Sequence, residues 1–417
     1  MTAVRNVSAP GPGPQVFRDR AEAEAYVASV CFKHGPPRLF GVEIEWTVHH
    51  REDPARQLDA TRLAAALGKH APATLVPDSP QRPLPSGTPL TVEPGGQVEI
   101  STPPRNSLTE LLKTVAEDIT QLQDLLAEAD LVLGDRGADP FRPPQRMLQV
   151  PRYAAMEHAF APIGPEGITM MCSTAGLQVC LDFGLREHLS DRWAAVHALG
   201  PVLNALFANS PGIGGRHPDW ASARMRALYG TDPVRTRPAA AVCDDPAAAW
   251  ARRVLDTPVI VVRRPGPNWF PPHRFTFADW IDGALDQRPT SDDLDYHLSL
   301  MFPPVRPRGY MEIRYLDTPP HGRWIPPVVL MAALFSDHQV VEQVLAATEP
   351  AVGRWLAAAR YGLADPCVAR AARAVVEIGC RALDRTDLSV GQNAAIAEEL
   401  HRTLAEKLAE KSGGDRK

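Results

Sequence analysis

Paired acids within extended segments are the side chains of this sequence with the clearest chemical potential. In GVEIEW, Glu43 and Glu45 alternate with Val42, Ile44 and Trp46. Because alternate side chains of a β-strand point to the same face, the two carboxylates would stand about 7 Å apart on one face. A single strand of this kind usually has an ordinary solvated face, so this pair alone does not define a site.

A second segment, LTVEPGGQVEIST at residues 90–102, repeats the pattern. Gln97, Glu99 and Ser101 alternate there with apolar residues, and Glu93 directly precedes the PGG sequence. Two consecutive glycines suit a β-bulge that redirects the chain close to a ligand. The segment therefore adds two acids to the candidate set.

Two later segments carry polar residues at the same spacing. In TAGLQVCLDFG, Gln178 shares a face with Cys180 and Asp182, and in RGYMEIRYLD Glu312 shares a face with Arg314. Acidic residues are poor strand formers, and like charges that face each other across strands repel. Several acid-bearing strands together therefore indicate that positive charge lies between them.

The ligand chemistry favours magnesium and a nucleotide. Oxygen ligands without clusters of His or Cys select Mg²⁺ or Mn²⁺ over zinc, and magnesium commonly links protein carboxylates to substrate phosphates. No G-x-x-x-x-G-K-[ST], G-x-G-x-x-G or G-x-S-x-G motif occurs, which disfavours phosphate-loop, Rossmann and serine-hydrolase schemes. Metals and arginines would hold the phosphates instead. Arg314 is the best-placed arginine, the alternative being a cross-strand ion pair with a neighbouring Glu.

Composition limits the class of partner. Lys and Arg number 44 against 49 Asp and Glu, a formal net charge of -5, so nucleic acid is not an expected partner. The six cysteines lack zinc-site spacing and are predicted to be reduced, mostly buried thiols. The N-terminal residues do not resemble a signal peptide, and no run approaches about 18 apolar residues. We therefore expect a soluble, cytoplasmic protein without a membrane partner.

Helical and extended patterns are mixed along the chain at irregular spacing. This mixture predicts an α+β fold, with a single catalytic domain over residues 17–417 behind a flexible, Pro- and Gly-rich tail at residues 1–16. Ser107 is predicted to cap the helix that follows it, and TPVIVVRR at residues 257–264 is predicted to be a strand. Residues 326–417 are Ala- and Leu-rich and are predicted to be mainly helical.

The order and wording of these motifs resemble the plant and proteobacterial type of glutamate-cysteine ligase, within the glutamine synthetase-like superfamily. The resemblance is carried by GVEIEW, TVEPGGQVEIS, RYAAM followed by GITMMCSTAGLQVCLDFG, and TFADWIDG…HLSLMFPPVRPRGYMEIRYLD. These blocks span roughly residues 40–335 in that order. The residues in these blocks look most like those of actinobacterial enzymes assigned to ergothioneine biosynthesis.

The resemblance implies both a fold and a reaction. The implied fold is a curved, mainly antiparallel sheet that forms a funnel and is flanked by helices. ATP and L-glutamate would meet inside it on Mg²⁺, with Mn²⁺ as a possible substitute. The glutamate γ-carboxylate would be joined to the amine of L-cysteine through γ-glutamyl phosphate, which gives γ-glutamylcysteine.

The resemblance also implies roles for particular residues. The family's metal-facing side chains fall on Glu43, Glu45, Glu93, Glu99, Gln178 and Glu312. Arg314, in the family's E-x-R motif, would contact the transferred phosphate. Arg235 aligns with an arginine that resembles the glutamate carboxylate anchor, with a solvated loop residue as the alternative. Tyr153 and Met156 match an RY-x-x-M block near the active site, with a core or lid role as the alternative. Cys180 replaces the Asn of plant relatives, and a thiol is the weaker hydrogen bonder.

Three other functions are compatible with parts of this pattern. A related carboxylate-amine ligase with another acceptor amine would share the motifs, because specificity depends on the shape of the pocket. A non-catalytic nucleotide- or metal-binding relative is disfavoured by the full acid set and the E-x-R arginine. A glycosidase also uses paired carboxylates, but it leaves the additional acids unexplained.

Overall fold

The structure is a computed structural model that describes residues 13–216 and 219–413. Its strands are β1 (Phe40–Trp46), β2 (Val48–His50), β3 (Leu90–Val92), β4 (Val98–Ser101), β5 (Leu131–Leu133), β6 (Gly176–Leu181), β7 (Val305–Pro307) and β8 (Met311–Asp317). Its helices are α1 (Arg20–Cys31), α2 (Ala60–Leu67), α3 (Leu108–Ala127), α4 (Pro151–Phe160), α5 (Glu166–Ser173), α6 (Leu189–Leu206), α7 (Ala223–Thr231), α8 (Pro233–Thr236), α9 (Pro246–Leu255), α10 (Phe277–Ile281), α11 (Ser291–Leu298), α12 (Ile325–Leu334), α13 (His338–Thr348), α14 (Trp355–Tyr361), α15 (Pro366–Ala382) and α16 (Val390–Gly413).

One large sheet organises the molecule. Six strands pair in the order β3-β4-β1-β6-β8-β7, every neighbouring pair is antiparallel, and β2 pairs with β5 separately. The sheet is open, with the short strands β3 and β7 at its two edges. The predicted α+β class with a mainly antiparallel sheet is confirmed, although the sheet does not close on itself.

The apolar face of the large sheet belongs to the hydrophobic core. Val42, Ile44, Ile100, Val179 and Ile313 are all fully or almost fully buried there. The helices α3, α6 and α12 pack against β1, β8 and β6 respectively. Because side chains alternate along each strand, burying these residues directs the polar residues between them to the opposite face.

The chain is helical beyond residue 325, and α12 is buried along its length. In the described part of the chain no single helix is both long and apolar enough to cross a membrane. The segments Ile325–Leu334 and His338–Ala351 meet that length and composition only as a pair, and they are bent by 108° relative to each other.

Ser107 caps α3 as predicted, because its hydroxyl accepts a hydrogen bond of 3.1 Å from the Glu110 amide. Asp387 accepts a second bond from the Leu108 amide at 3.1 Å. This distant carboxylate therefore shares the capping of α3 and ties the C-terminal helices to it.

The N-terminal residues that the structure describes are attached to the main body. The Ser291 amide donates a hydrogen bond to the Gln15 carbonyl, and Val16 forms an isolated β-bridge with Thr290. Phe17 is fully buried. Residues 1–12 of the predicted tail lie outside the described residues.

Three local predictions need correction. Residues 257–264 are not a strand, because they pair only at single points such as the Pro258–Thr276 bridge, although Val259 is buried. The PGG sequence is the turn of the β3–β4 hairpin rather than a bulge, and Gly96 takes a φ of 93° there. All six cysteines are free thiols as predicted, but four of them are partly exposed.

Candidate active site

The polar face of the large sheet brings the acid-bearing segments together. Glu45 lies opposite Glu99 across β1 and β4, and Glu43 lies opposite Gln178 across β1 and β6. Glu312 lies on β8, the next strand of the sheet. Glu43, Glu99, Gln178 and Glu312 are each at most 4% exposed. Side chains this deeply buried do not form the solvated face of an ordinary amphipathic strand.

Acids occupy one half of this face, on β1, β4 and the β3–β4 turn. We call Glu43, Glu45, Glu93 and Glu99 the acidic half. Glu99 Oε1 accepts hydrogen bonds from the hydroxyls of Thr91 at 2.9 Å and Ser101 at 3.0 Å. Glu43 Oε2 is buried without a hydrogen-bond partner. A buried carboxylate oxygen in that state is costly unless a cation or proton meets it.

The pKa is raised at Glu43, Glu45 and Glu99. Burial raises the pKa of Glu45 to about 7, and the nearby Glu99 and Glu93 carboxylates add to the effect. Burial also raises the pKa of Glu43, with repulsion from Glu312 and Glu99, and the pKa of Glu99, with repulsion from Glu93. Without a bound cation it is therefore unfavourable for these neighbouring carboxyl groups to be ionised at the same time.

Arginines occupy the other half, on β7 and β8. The Arg306 guanidinium donates two hydrogen bonds to Glu312, one of them from Nη2 at 2.9 Å. Arg314 Nη1 and Arg308 Nη1 approach Glu312 Oε1 at 3.5 Å and 3.6 Å. Burial alone would raise the pKa of Glu312, but these three guanidinium groups outweigh it and hold the pKa well below its usual range. We call Arg306, Arg308 and Arg314 the arginine half, with Glu312 as its internal counter-charge.

Gln178 joins the two halves. Its Nε2 donates to Glu45 Oε1 at 3.0 Å, and its Oε1 accepts a hydrogen bond from Arg314 Nη1. The other Glu45 oxygen accepts from the Gly176 amide at 2.8 Å. The amide of Gln178 thus fixes the orientation of one acid and one guanidinium at the same time.

Cys180 is the uncharged member of this face. It lies opposite Glu312 across β6 and β8. Burial raises the pKa of its thiol well above the usual value, and the Glu43 and Glu312 carboxylates act in the same direction. The thiol is therefore neutral near pH 7 and adds no charge to the site.

A cleft runs along this face, and helices supply its other wall. Tyr153 and Met156 of α4 line it, together with Phe302, which follows α11. The polar lining residues from the sheet side are Glu45, Glu93, Gln97, Glu99, Gln178, Arg306 and Arg314. Acids, arginines and an apolar wall therefore meet around one cleft.

Two further arginines reach this cleft from the helices. Arg152 of α4 lines it and donates to the Ser299 hydroxyl at 2.9 Å. Arg224 of α7 also lines it and donates to the Arg314 carbonyl at 2.8 Å. The sequence could have indicated Arg152 as a site residue, since it directly precedes Tyr153 in the RY-x-x-M block. Nothing in the local sequence distinguishes Arg224 from the surface arginines.

A glycine makes room for Arg224. A Cβ atom on Gly176 would lie 2.2 Å from Arg224 Nη2, which is closer than such contacts occur. Gly176 begins β6, and its own amide donates to Glu45. The absence of a side chain at this position therefore lets Arg224 lie across the start of the strand.

Arg235 is not among the residues that line this cleft. Its side chain is fully buried, pairs with Asp232 at 3.1 Å, and donates to the backbone carbonyls of Leu300 and Pro258. In this arrangement it connects α8 to two other segments. Its role as a carboxylate anchor stays a prediction.

The groups that could bind metal ions are the carboxylates of the acidic half. Among residues 13–216 and 219–413 no group of three or more His, Cys, Asp or Glu side chains is arranged as around a bound metal ion. The donor set is nevertheless made of oxygen atoms, and the buried Glu43 Oε2 has no hydrogen-bond partner. Hard divalent cations such as Mg²⁺ fit such donors.

Comparison with known proteins assigns this site to a class. Residues 39–411 match the model of glutamate-cysteine ligase family 2. The chain belongs to that family and is a ligase. The predicted family is thereby confirmed.

Individual relatives agree with this assignment. The chain is 39% identical over 362 residues to the glutamate–cysteine ligase EgtA of Mycolicibacterium smegmatis, covering 84% of this chain and 82% of the relative. It is 37% identical over 383 residues to EgtA of Mycobacterium tuberculosis, covering 89% and 85%. A chloroplastic glutamate–cysteine ligase of Brassica juncea is 30% identical over 267 residues, covering 61% and 51%. Among solved structures, a Francisella tularensis glutamate–cysteine ligase in complex with AMP matches with a TM-score of 0.45 and 12% identity, over 91% of this chain and 95% of that chain.

Proposed function

We propose that this chain is a cytoplasmic, ATP-dependent glutamate–cysteine ligase. The glutamate γ-carboxylate attacks the γ-phosphate of ATP, ADP leaves, and the γ-glutamyl phosphate formed is attacked by the amine of cysteine. The products are γ-glutamylcysteine, ADP and phosphate. The single observation that carries this proposal is one buried sheet face on which an acidic half and an arginine half are joined by Gln178. We take residues 17–417 as one catalytic domain.

Magnesium is the proposed metal of the acidic half, with manganese as a substitute. Glu43, Glu45, Glu93 and Glu99 would hold it, with Gln178 at the border to the arginine half. Glu312 is also implied as a metal-facing residue by the family alignment, but in this arrangement both of its oxygens accept hydrogen bonds from Arg306. When bound, it supplies charge neutralisation between the triphosphate and the reacting carboxylate. Burial raises the pKa of Glu45 to about 7, and the neighbouring Glu99 and Glu93 carboxylates add a repulsion that a divalent cation would relieve.

The chain's own residues provide the remaining functions. Arg314 is held by Gln178 at the edge of the cleft, where it can neutralise charge on the transferred phosphoryl group. Tyr153 and Met156 form a wall that excludes water, which protects an acyl phosphate from hydrolysis. The arginine half and this wall thus act on different steps of the reaction.

The anchor of the glutamate α-carboxylate is proposed among the arginines. Arg235 is the anchor implied by the family alignment, but its donors serve the Leu300 and Pro258 carbonyls in this arrangement. Arg152 and Arg224 line the cleft, although each also donates to a backbone carbonyl, that of Ser299 and that of Arg314 respectively. The geometry therefore favours Arg152 or Arg224 for this contact.

The acceptor amine and the pathway rest on the relatives. The name EgtA belongs to enzymes of two mycobacterial species that this chain matches over most of its length. We propose cysteine as the acceptor and a role in ergothioneine biosynthesis. A related ligase with another amine remains the second candidate, since specificity depends on pocket shape rather than on the shared acids.

Phosphate release with ATP, magnesium and glutamate, with and without each amino acid in a panel of amines, tests the function. We expect release to depend on glutamate and to be greatest with cysteine. Glutamate labelled with ¹⁸O in its γ-carboxylate should transfer one labelled oxygen to phosphate, because the acyl phosphate forms through that oxygen. Product formation without transfer of label would exclude the acyl phosphate route, and equal turnover with unrelated amines would exclude cysteine specificity.

A further inference from the structure

Arg306 is a buried arginine of the cleft to which sequence reasoning gave no role. It lies on β7 directly opposite Glu312 on β8. Its side chain is 6% exposed, and that of Glu312 is fully buried. It lines the cleft beside Arg314. Any effect of Arg306 on the neighbouring groups therefore acts in a largely water-free environment, where charge interactions are strong.

The three arginines around Glu312 are not equivalent. Arg306 takes both carboxylate oxygens in a bidentate arrangement, with a further bond from Nη1 to the Met301 carbonyl at 3.1 Å. Arg314 and Arg308 approach Oε1 at the longer distances of 3.5 Å and 3.6 Å. Bidentate guanidinium–carboxylate pairs are stronger and more directional than single contacts. Arg306 is thus the main partner of Glu312.

The consequence concerns Arg314. With Glu312 already paired, the Arg314 guanidinium keeps one long contact to that carboxylate and one hydrogen bond to Gln178. A guanidinium has five N–H donors, so most of its donor capacity is not committed by these two contacts. Without Arg306, the buried Glu312 would need another cation, and Arg314 is adjacent on the same strand.

We propose that Arg306 is a positioning residue that occupies Glu312 and thereby keeps the Arg314 guanidinium available for the β- and γ-phosphates of ATP. This inference rests on the proposed function, in which Arg314 contacts the transferred phosphoryl group. It differs from a purely structural role, because the loss of Arg306 would weaken the recognition of the terminal phosphates rather than that of the whole nucleotide.

The test compares two nucleotides by titration calorimetry. The probes are the β,γ-methylene analogue of ATP and AMP, each with magnesium and again with EDTA. Arg306→Gln should weaken binding of the analogue about tenfold and leave AMP unchanged, because a charge-assisted contact to the terminal phosphates is lost. The weakening should persist in EDTA, since it acts through Arg314. Equal weakening of both nucleotides, no weakening, or an effect seen only with magnesium would overturn the inference.

Two further variants make the comparison specific. Arg354→Gln is the matched control, since Arg354 also pairs with a largely buried carboxylate, that of Asp365 at 3.0 Å, but does not line the cleft, and it should keep the preference for the analogue. Arg306→Lys retains a cation beside Glu312 but loses the bidentate fork, so it should keep part of the wild-type preference and more of it than Arg306→Gln keeps. It also carries the test if the Gln variant does not fold, and a folded Lys variant without the preference would contradict the proposal.

A double-variant cycle separates the positioning role from independent phosphate binding. Arg314→Gln should itself remove the preference, and adding Arg306→Gln should cause no further loss if Arg306 acts through Arg314. Additive losses would show that Arg306 contacts phosphate directly. If the wild type shows no preference for the analogue over AMP, the proposed function fails; if it does and Arg306→Gln retains it, only this inference fails.

Discussion

Glu45 and Glu99 face each other directly across β1 and β4, on the side of the sheet that carries the cleft. Two acids in direct opposition are destabilising unless a proton or a cation is shared between them. A cation bound between these two carboxylates would relieve their repulsion, so the repulsion favours cation binding at this place. Several consequences of this arrangement can be measured.

The first prediction concerns pH and stability. The pKa of Glu45 is raised to about 7, so the folded state holds a proton that the unfolded state releases at lower pH. The contribution of Glu45 to stability is thus fully present at low pH and is lost as pH rises towards 7. In chemical denaturation of the metal-free proteins, the free energy of unfolding of Glu45→Gln should increase relative to that of the wild type as pH rises across this window. Addition of Mg²⁺ at pH 7 should stabilise the wild type more than the variant, and a pH-independent difference would contradict the shift.

The second prediction concerns the acidic half in catalysis. Glu99→Gln keeps the shape of the side chain but removes its charge, so ATP-dependent product formation should fall by at least about 100-fold while the fold is kept. Glu110→Gln is the control, because Glu110 is exposed on α3. The measurements are γ-glutamylcysteine formation by chromatography and circular dichroism. Wild-type turnover in Glu99→Gln would exclude it from the site.

The third prediction uses the glycine beneath Arg224. Gly176→Ala should displace the Arg224 guanidinium, because the new methyl group would overlap Nη2. We expect kcat/KM for glutamate to fall about 10- to 100-fold, since a displacement of about 1 Å is costly in a positioned site. Gly35→Ala is the matched control, as no heavy atom lies within 4 Å of its added Cβ. Unchanged kinetics in Gly176→Ala would exclude Arg224 as the carboxylate anchor.

The fourth prediction separates stability from binding at Arg235. Arg235→Gln leaves Asp232 without its partner and removes bonds to two carbonyls, so the free energy of unfolding should fall by about 3 kcal/mol. Arg237→Gln, at an exposed neighbouring position, should change it little. Denaturant titration measures both. A raised KM for glutamate at unchanged stability would instead support the anchor role implied by the family alignment.

Sequence was sufficient for features that depend on short-range order. The two-residue period of a strand placed Glu43 and Glu45 on one face, and the polar residue before an apolar helical stretch identified Ser107 as a cap. The VIVV stretch within residues 257–264 was misread because an apolar, β-branched segment is buried equally well without strand partners. The local pattern of apolar residues does not show whether another strand is present to pair with the segment.

The remaining features depend on contacts between distant segments. The pairing of Arg306 with Glu312 needs the register of β7 against β8, and Arg224 reaches the cleft because α7 packs against α5. No local pattern encodes either relation. The burial of Arg235 and its bonds to the Leu300 and Pro258 carbonyls could not be predicted either, because a buried arginine that binds carbonyls has the same sequence signature as one that binds a substrate.

The position of β7 has a consequence for solubility. This three-residue strand forms one border of the large sheet and ends at Pro307, which has no amide hydrogen to donate. Exposed strand borders invite pairing with other polypeptides, and short length and proline are two of the ways in which proteins discourage it. All three residues of β7 are buried as well, so this border of the sheet is not available for pairing with another copy of the chain, and the Arg306 side chain that it carries is paired with Glu312 inside the fold.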